Sequence, residues 1–309
     1  MSKKDVRIVF MGTPEFAVAS LAALVNAGYN IVAVVTAPDK PSGRGMKMNE
    51  SAVKKYAFEK GLQILQPPKL KAPEFIEALQ ELNADLQIVV AFRMLPEAVW
   101  NMPPMGTINV HGSLLPQYRG AAPINWAVIN GEKETGVTTF KLKHEIDTGN
   151  ILLQEKMPIR EDETAGEVHD RMKEIGAELL VKTVDGLIDK TIEEKEQLRS
   201  YTDIKHAPKI FTDTCKIDWN KTADEVYDLI RGLAPYPAAF TILNNKTLKI
   251  FSAKKIKQTP NIKPGEYVTD GKTSLRFACS NGWIEVQDIQ LEGKKRMHID
   301  DFLRGYRFE

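Results

Sequence analysis

The sequence has few of the features that mark secreted, membrane-bound or metal-binding proteins. Its 309 residues include two cysteines, Cys215 and Cys279, which are too few for a disulfide framework and are not spaced as a metal-binding pair. No run of residues approaches the roughly 18 apolar residues of a membrane-spanning helix. The opening "MSKKDVRIVFMG" contains a short apolar run that is typical of a first strand and not of a signal peptide. These absences predict a cytoplasmic protein without a membrane partner or a bound metal.

The net charge of the chain is close to zero, so no overall basic field indicates a nucleic-acid partner. The balance is uneven, because residues 205–309 contain 18 Lys and Arg against 13 Asp and Glu, and residues 1–204 contain 24 against 28. A basic second part is compatible with a polyanionic partner. An arbitrary distribution of surface charge explains the same counts, so this observation alone leaves both interpretations open.

Apolar strand patterns alternate with amphipathic helix patterns over the first two-thirds of the chain. The strand patterns cover residues 6–11, 31–36, 62–66, 86–91 and 107–111, and the helix patterns cover 15–28, 50–61 and 72–84. Continuous apolar strands separated by helices indicate βαβ units. The pattern therefore predicts an α/β fold, a mostly parallel Rossmann-like sheet with helices on both faces.

The regular alternation of strand and helix patterns ends in the last part of the chain. Two further strand patterns, at 137–143 and 150–159, precede a long helix predicted over about 164–190, with Thr164 and Glu167 placed to cap its start. Beyond a polar, irregular stretch, a helix pattern at 222–233 is followed by short strand patterns broken by Gly, Asn and Pro, which predict a small C-terminal β-barrel of OB-like type. We expect a catalytic domain over 1–190, a linker over 191–208 and a barrel domain over 209–309.

Two common site motifs are incomplete. The segment "FMGTPEFAV" lies where a dinucleotide-binding loop would follow the first strand, but it has Gly12 without the rest of G-x-G-x-x-G, which argues against NAD. Ser113 in "VHGSLL" lacks the G-x-S-x-G pattern of a nucleophile elbow, which argues against a serine hydrolase.

A catalytic set is predicted at the end of the strand "TINVH". Asn109 and His111 alternate with apolar residues and so share one face, at the carboxyl end where open parallel sheets bind their ligands. An amide and an imidazole at that place suit the stabilisation of an oxyanion. Asp147, in the loop "HEIDTGNIL", is the best candidate to orient and charge the imidazole. Each residue alone is also explained as a turn former, a core histidine or a loop residue, and His144 competes for the histidine role, but the combination favours catalysis.

These motifs resemble those of the folate-dependent formyltransferases. "NVHGSLLPQYRGAAPI" followed by "DTG" is similar to the segments that carry an Asn–His–Asp catalytic set in that family, and by the resemblance the set falls on Asn109, His111 and Asp147. "FMGTPEFA", "TAPDKPSGRG" and a C-terminal barrel of the right length resemble the members that formylate a charged tRNA. The resemblance implies formyl transfer from 10-formyltetrahydrofolate to the α-amino group of methionine on initiator tRNA, without a metal.

The resemblance also implies binding residues. A folate pocket is expected along Phe92, Arg93, Met94, Leu95, Ser113, Leu114, Leu115 and Pro116, although "AFRMLP" departs from the Ala-Tyr-Gly-type sequence of many members. A basic loop with Lys40, Arg44 and Lys47 is expected to contact the acceptor end of the tRNA. The expected second tRNA surface consists of Lys254, Lys255, Lys294, Lys295 and Arg296. No long apolar seam stands out, so we expect a monomer.

Three other functions are compatible with parts of the sequence. A glycinamide ribonucleotide formyltransferase would need only the first domain, so the chain beyond residue 205 argues against it. A formyltransferase of sugar amines would have no need for the basic loop. An RNA-binding protein with an inactive formyltransferase domain would have no reason to keep the whole Asn–His–Asp set.

Overall fold

The computed structural model describes residues 2–42, 47–197 and 204–307 of the chain. In chain order, the strands are β1 (Arg7–Gly12), β2 (Asn30–Val35), β3 (Lys40–Ser42), β4 (Lys47–Asn49), β5 (Ile64–Leu65), β6 (Leu86–Val90), β7 (Thr107–His111), β8 (Arg119–Gly120), β9 (Glu134–Lys141), β10 (Ile151–Pro158), β11 (His206–Ala207), β12 (Ala239–Leu243), β13 (Lys246–Ile256), β14 (Tyr267–Thr269), β15 (Leu275–Ala278), β16 (Trp283–Leu291) and β17 (Met297–His298).

The helices vary in length from one turn to almost seven turns. They are α1 (Glu15–Asn26), α2 (Ala52–Glu59), α3 (Pro73–Glu81), α4 (Glu97–Trp100), α5 (Pro123–Ile129), α6 (Ala165–Ile188), α7 (Ala223–Leu233) and α8 (Ile299–Gly305), with a 3₁₀ turn at Thr212–Cys215. No helix in the described part of the chain combines the length and the apolar character that crossing a membrane requires.

The chain divides into two compact units. The first comprises Met1–Arg119, Gly136–Met157 and His169–Lys205. The second comprises Gly120–Thr135, Pro158–Val168 and His206–Glu309.

A seven-stranded sheet in the order β10-β9-β7-β6-β1-β2-β5 organises the first unit. Neighbouring strands from β7 to β5 are parallel, and β9 joins β7 antiparallel. Parallel neighbours need crossover connections, which the helices between the strands supply. The predicted mostly parallel sheet is therefore confirmed, and β7 has the predicted bounds.

Both faces of this sheet are covered by helices. The face that carries Met11 and Val89 packs against α3, whose Leu79 lies in the same cluster of buried apolar side chains. Helix α1 lies on the opposite face, because a Cβ atom added to Gly12 would come within 2.6 Å of Cβ of Ala17. Near-continuous burial of β1 and β6 follows from this two-sided cover, which explains why these strands read as unbroken apolar runs.

The second unit contains the predicted antiparallel sheet. Its strands follow the order β12-β13-β16-β15-β14, with β17 paired to β16, and the sheet curls as an open half-barrel. The register of β13 against β16 shifts between Ile250 and Ala253, and such irregularities bend a strand. Trp219 stacks on Phe277 inside the core, with ring centroids 4.7 Å apart.

A capping box lies at the start of two helices, α6 and α7. The Thr164 hydroxyl accepts a hydrogen bond from the backbone N–H of Glu167, whose carboxylate accepts one from the Thr164 N–H, as the sequence predicts for the start of α6. At α7 the same reciprocal pair joins Thr222 and Glu225. Each pair satisfies backbone N–H groups that the first helical turn leaves without partners.

Replacing Thr222 by Ala should lower the free energy of unfolding by about 1 kcal/mol, because the cap hydroxyl is lost while the helix keeps its packing. Thr222→Ser, which retains the hydroxyl, should remain close to the wild type. Urea unfolding followed by circular dichroism measures both. Equal stability of the Ala and Ser variants would show that the cap does not stabilise α7.

Candidate active site

Strand β7 brings two of the predicted catalytic residues to one edge of the sheet. Asn109 pairs with Val89 of β6, so its side chain lies on the sheet face that α3 covers, and His111 follows on the same face one pleat later. The strand ends at His111. Both side chains therefore lie at the carboxyl end of a parallel strand, the place where such sheets bind ligands.

The two ring nitrogens of His111 have different partners. Nε2 lies 2.9 Å from the carbonyl oxygen of Tyr118. A carbonyl oxygen only accepts, so Nε2 carries the proton and the neutral ring has its lone pair on Nδ1. Nδ1 faces Asp147, with 3.9 Å between Nδ1 and Oδ2. The imidazole is buried at 7% exposure and its edge-on contact with Phe140 limits rotation.

A network of side chains folds the segment after β7 back toward the imidazole. The Thr138 hydroxyl donates to the carbonyl of Ser113 (2.7 Å) and accepts from the N–H of Leu115 (3.1 Å). Gln154 Nε2 donates to Thr138 Oγ1 (2.9 Å) and to the carbonyl of Leu115 (3.0 Å). These bonds fix the turn whose far end supplies the carbonyl of Tyr118.

The loop that carries Asp147 has an unusual backbone. Asp147 adopts a positive φ of 55°, which few residues other than Gly, Asn and Asp tolerate. The Thr148 hydroxyl donates to the carbonyl of Glu145 (3.0 Å) and tightens the turn. At Gly149 a Cβ atom would overlap the carbonyl oxygen of Lys141, so only glycine fits. The "DTG" sequence is thus explained residue by residue by the shape of the loop.

The side-chain amide of Asn109 is available to a ligand. It is partly exposed, and within the described ranges it has no hydrogen-bond partner. The competing histidine, His144, is different, since its side chain is 87% exposed and lies 3.9 Å from Glu97 Oε2. Asn109, His111 and Asp147 are therefore brought together, and His144 lies apart with another carboxylate.

Sequence reasoning missed the residues that hold this arrangement. Thr138 and Gln154 were not singled out, and Tyr118 contributes through its backbone carbonyl, which no side-chain pattern reveals. One signal was present, because Thr138 is a fully buried hydroxyl within a strand, and such a group needs partners.

The residues predicted to line a folate pocket differ widely in exposure. Met94 is 73% exposed, Leu95 is buried, and a surface pocket is lined by Leu70, Lys71, Arg93, Met94, Leu95 and Pro96. Arg93 donates to the carbonyl oxygens of Pro67 (2.9 Å) and Pro68 (3.2 Å), and burial lowers its pKa. Ser113 is fully buried, and its hydroxyl donates to the carbonyl of Gln117 (2.6 Å).

The remaining members of the predicted folate set lie beside these residues. Phe92 is half-buried and contacts the Arg93 guanidinium at 5.2 Å from its ring centroid. In the turn after β7, Leu115 is buried, and Leu114 and Pro116 are half-buried.

The predicted tRNA-contacting cations of the first unit surround a hairpin. Lys40 is exposed on β3, and β4 begins at Lys47, where its backbone pairs with Ser42. Arg44 lies outside the described residues. The base of the hairpin is held by Asp39, whose carboxylate accepts from Lys54 and from Gln66 Nε2 (2.8 Å).

The predicted cations of the second unit fall into two groups. Lys254, Lys294 and Lys295 are exposed. Lys255 is 2.8 Å from Asp224 Oδ1, and this carboxylate raises the Lys255 pKa. Arg296 is 2.8 Å from Asp288 Oδ2 and stacks over Phe251. Lys255 and Arg296 are therefore already paired with carboxylates of the protein.

No group of three or more His, Cys, Asp or Glu side chains within residues 2–42, 47–197 and 204–307 is arranged to hold a metal ion.

Comparisons with known proteins match two long segments of the chain to formyl transferases. Residues 6–184 match the Formyl transferase family and residues 209–307 match the Formyl transferase C-terminal domain family. The chain is similar to the methionyl-tRNA formyltransferase of Bacteroides fragilis, with 53% identity over 99% of this chain and 97% of the relative. A methionyl-tRNA formyltransferase of Bacteroides thetaiotaomicron is 52% identical over 99% of this chain and 98% of the relative.

Among solved structures, the sugar 3N-formyl transferase WlaRD is similar in fold, with a TM-score of 0.67, 20% identity and coverage of 94% of this chain and 99% of that one. At 20% identity this likeness bears on the fold alone. The matches of both segments, and the identity of about half over nearly the full length of curated relatives, place the chain in the formyl transferase family, and within it the chain belongs to the methionyl-tRNA formyltransferases.

Proposed function

We propose that the protein transfers the formyl group of 10-formyltetrahydrofolate to the α-amino group of the methionine carried by initiator tRNA. The proposal rests on the arrangement at the end of β7. There the side-chain amide of Asn109 is available to a ligand, and Nδ1 of the His111 imidazole faces Asp147. The name shared by the relatives at about half identity supports the choice of acceptor.

Asn109 and His111 act on the oxygen of the formyl group. As the amine attacks the formyl carbon, this oxygen gains negative charge in a tetrahedral species. The amide N–H of Asn109 donates to it. His111 has its Nε2–H committed to Tyr118, so its donor to the oxygen is Nδ1–H of the doubly protonated ring. Two fixed donors at a developing oxyanion are a strong source of rate acceleration.

Asp147 faces the imidazole and accepts the proton that the attacking amine gives up. Its carboxylate is 3.9 Å from Nδ1, a distance that leaves room for a water to relay a proton. The attacking nitrogen loses a proton toward Asp147 by this route. As the bond between N10 and the formyl carbon breaks, N10 takes up the proton that the amine gave to Asp147, by the same water, and the carboxylate is restored. No covalent bond between enzyme and formyl group is needed.

The other residues are assigned to the two substrates. We place the folate along Phe92–Leu95 and Ser113–Pro116, and the acceptor end of the tRNA along the β3–β4 hairpin. We also propose that residues 1–190 act as the catalytic domain, 191–208 as a linker and 209–309 as a second tRNA-binding domain. The charge excess of residues 205–309 supports the last role. We also expect the protein to act as a monomer in the cytoplasm.

The substrate is tested with purified protein, 10-formyltetrahydrofolate and methionine-charged initiator tRNA, by following formation of the formyl-methionyl ester. Parallel reactions replace the acceptor by charged elongator tRNA, glycinamide ribonucleotide or a 4-amino nucleotide sugar. We expect rapid turnover with the initiator tRNA alone. Turnover of a small amine instead would overturn the tRNA assignment, and tRNA binding without turnover of any acceptor would overturn the enzyme assignment.

Asn109→Ala and His111→Ala should each lower kcat by about 10²–10³-fold, because each removes one donor to the oxyanion. Single-turnover kinetics at saturating concentrations of both substrates measure the effect without product release.

The matched control is His144→Ala, which removes a histidine whose side chain is 87% exposed and paired with Glu97. It should keep kcat within about twofold of the wild type, as surface substitutions usually do little. Near-normal turnover by His111→Ala, or a loss in His144→Ala as large as in His111→Ala, would contradict the assignment of His111.

A further inference from the structure

Gln197 makes four hydrogen bonds from a nearly buried position. Its Nε2 donates to the carbonyl oxygens of Asp147 (2.9 Å) and Gly149 (2.8 Å). Its Oε1 accepts from Nε (3.1 Å) and Nη2 (2.6 Å) of Arg119. The side chain is 8% exposed. Both donors and both acceptor positions of the amide are thus used within the protein, so Gln197 has no free group for a substrate.

These bonds join the two segments that face the two sides of the imidazole. Arg119 directly follows Tyr118, whose carbonyl accepts from Nε2 of His111. Asp147 faces Nδ1 of the same ring. One amide therefore links the two segments that hold the two partners of His111, through the Arg119 side chain on one side and backbone carbonyls on the other.

The Asp147 loop needs such support because of its backbone. A positive φ in a residue other than glycine costs free energy and persists where surrounding contacts impose it. Gln197 holds the carbonyls of Asp147 and Gly149, on both sides of Thr148. The loop is thereby fixed from outside the loop itself.

Gln197 is in turn anchored through its own segment. Lys195 and Ile151 exchange two backbone hydrogen bonds, of 2.7 and 2.9 Å. Glu194 pairs with Lys141 (2.5 Å) and accepts from Asn150 (3.0 Å). The segment 194–197 is therefore bound to the strands that flank the Asp147 loop, and the Gln197 amide is presented from a fixed backbone.

We propose that Gln197 is a positioning residue for the formyl-transfer reaction: it fixes the Asp147 carboxylate against Nδ1 of His111 by tying the Asp147 loop to Arg119. The inference rests on the proposed function, because the reaction it serves is the one assigned there. It adds a residue that touches neither substrate and acts through Asp147.

The main test is Gln197→Met, which keeps the length of the side chain and removes all four hydrogen bonds. We expect kcat to fall about 10–100-fold, because displacements of about 1 Å in a catalytic group cost rates of this order. KM for both substrates should stay within about threefold, since Gln197 contacts neither. Gln197→Glu, which keeps the acceptor for Arg119 and loses both donors to the loop, should show the same pattern of changes.

The matched control is Glu194→Gln, which loosens the same segment from the same strands without touching the loop carbonyls. It should keep kcat within about twofold of the wild type. A loss in the control as large as in Gln197→Met would mean that general loosening of the segment matters, and would overturn the specific role. Each variant is assayed well below its thermal unfolding midpoint.

A double-mutant cycle with Asp147→Asn decides whether Gln197 acts through the carboxylate. Asparagine tolerates the same positive φ and keeps the carbonyl that Gln197 binds. In the Asp147→Asn background, Gln197→Met should change kcat by less than about twofold, because the group it positions is gone. Losses that multiply, or a change of KM at constant kcat, would overturn the proposal.

Different results contradict the proposed function and this inference, because the function is tested with the wild type and the inference with the variants. Wild-type protein that forms no formyl-methionyl ester would contradict the function, and an active wild type with an equally active Gln197→Met would contradict the inference. The ¹⁵N spectrum of the histidine side chains gives a readout that does not depend on activity. The His111 signals should shift in Gln197→Met and remain in place in Glu194→Gln, and unchanged signals in Gln197→Met would count against the bridge.

Discussion

The site depends on one hydrogen bond, in which Nε2 of His111 donates to the carbonyl of Tyr118. This bond decides which nitrogen of the neutral ring carries the proton. With Nε2 committed, Nδ1 is the nitrogen that faces Asp147. The role that we propose for the histidine therefore depends on a backbone atom seven residues further along the chain. The imidazole cannot turn to offer its other nitrogen without giving up a buried hydrogen bond, which is costly.

Much of the surrounding structure serves to keep that carbonyl in place. The chain must leave β7, turn through residues 112–117 and return within hydrogen-bonding distance of the residue where the strand ended. Thr138 and Gln154 hold the inner half of the turn from β9 and β10. Strands β9 and β10 thus contribute to the site. They bring hydroxyl and amide groups to the edge where the parallel strands end.

Features governed by local periodicity could be predicted from the sequence. Alternation along "TINVH" placed Asn109 and His111 on one face, and β7 has the predicted bounds, because side chains alternate strictly in a strand. The start of α6 could be predicted from Thr164 and Glu167, since a capping box is a contact between residues three apart. The parallel order of the sheet followed from the alternation of strands and helices.

Features that depend on contacts between distant segments could not be predicted in this way. Nothing in the polar stretch around Gln197 distinguishes it from a solvated loop, because its three partner residues lie 48 to 78 positions away. Likewise, the closure of the C-terminal sheet depends on whether its edge strands pair. No local pattern reports such pairing, and among the described residues the sheet forms a curled half-barrel. Arg44, predicted to contact tRNA, lies outside the described residues and remains a prediction.

The tautomer of neutral His111 decides whether Nε2 donates to the carbonyl of Tyr118. Protein labelled with ¹⁵N in its histidines gives long-range ¹H–¹⁵N correlations that identify the protonated nitrogen of each neutral ring, and His111→Gln assigns the signal. We predict that neutral His111 carries its proton on Nε2 and leaves Nδ1 unprotonated toward Asp147. A neutral ring protonated on Nδ1 would contradict it, because Nε2 could then not donate to Tyr118 and the roles of the two nitrogens would be reversed.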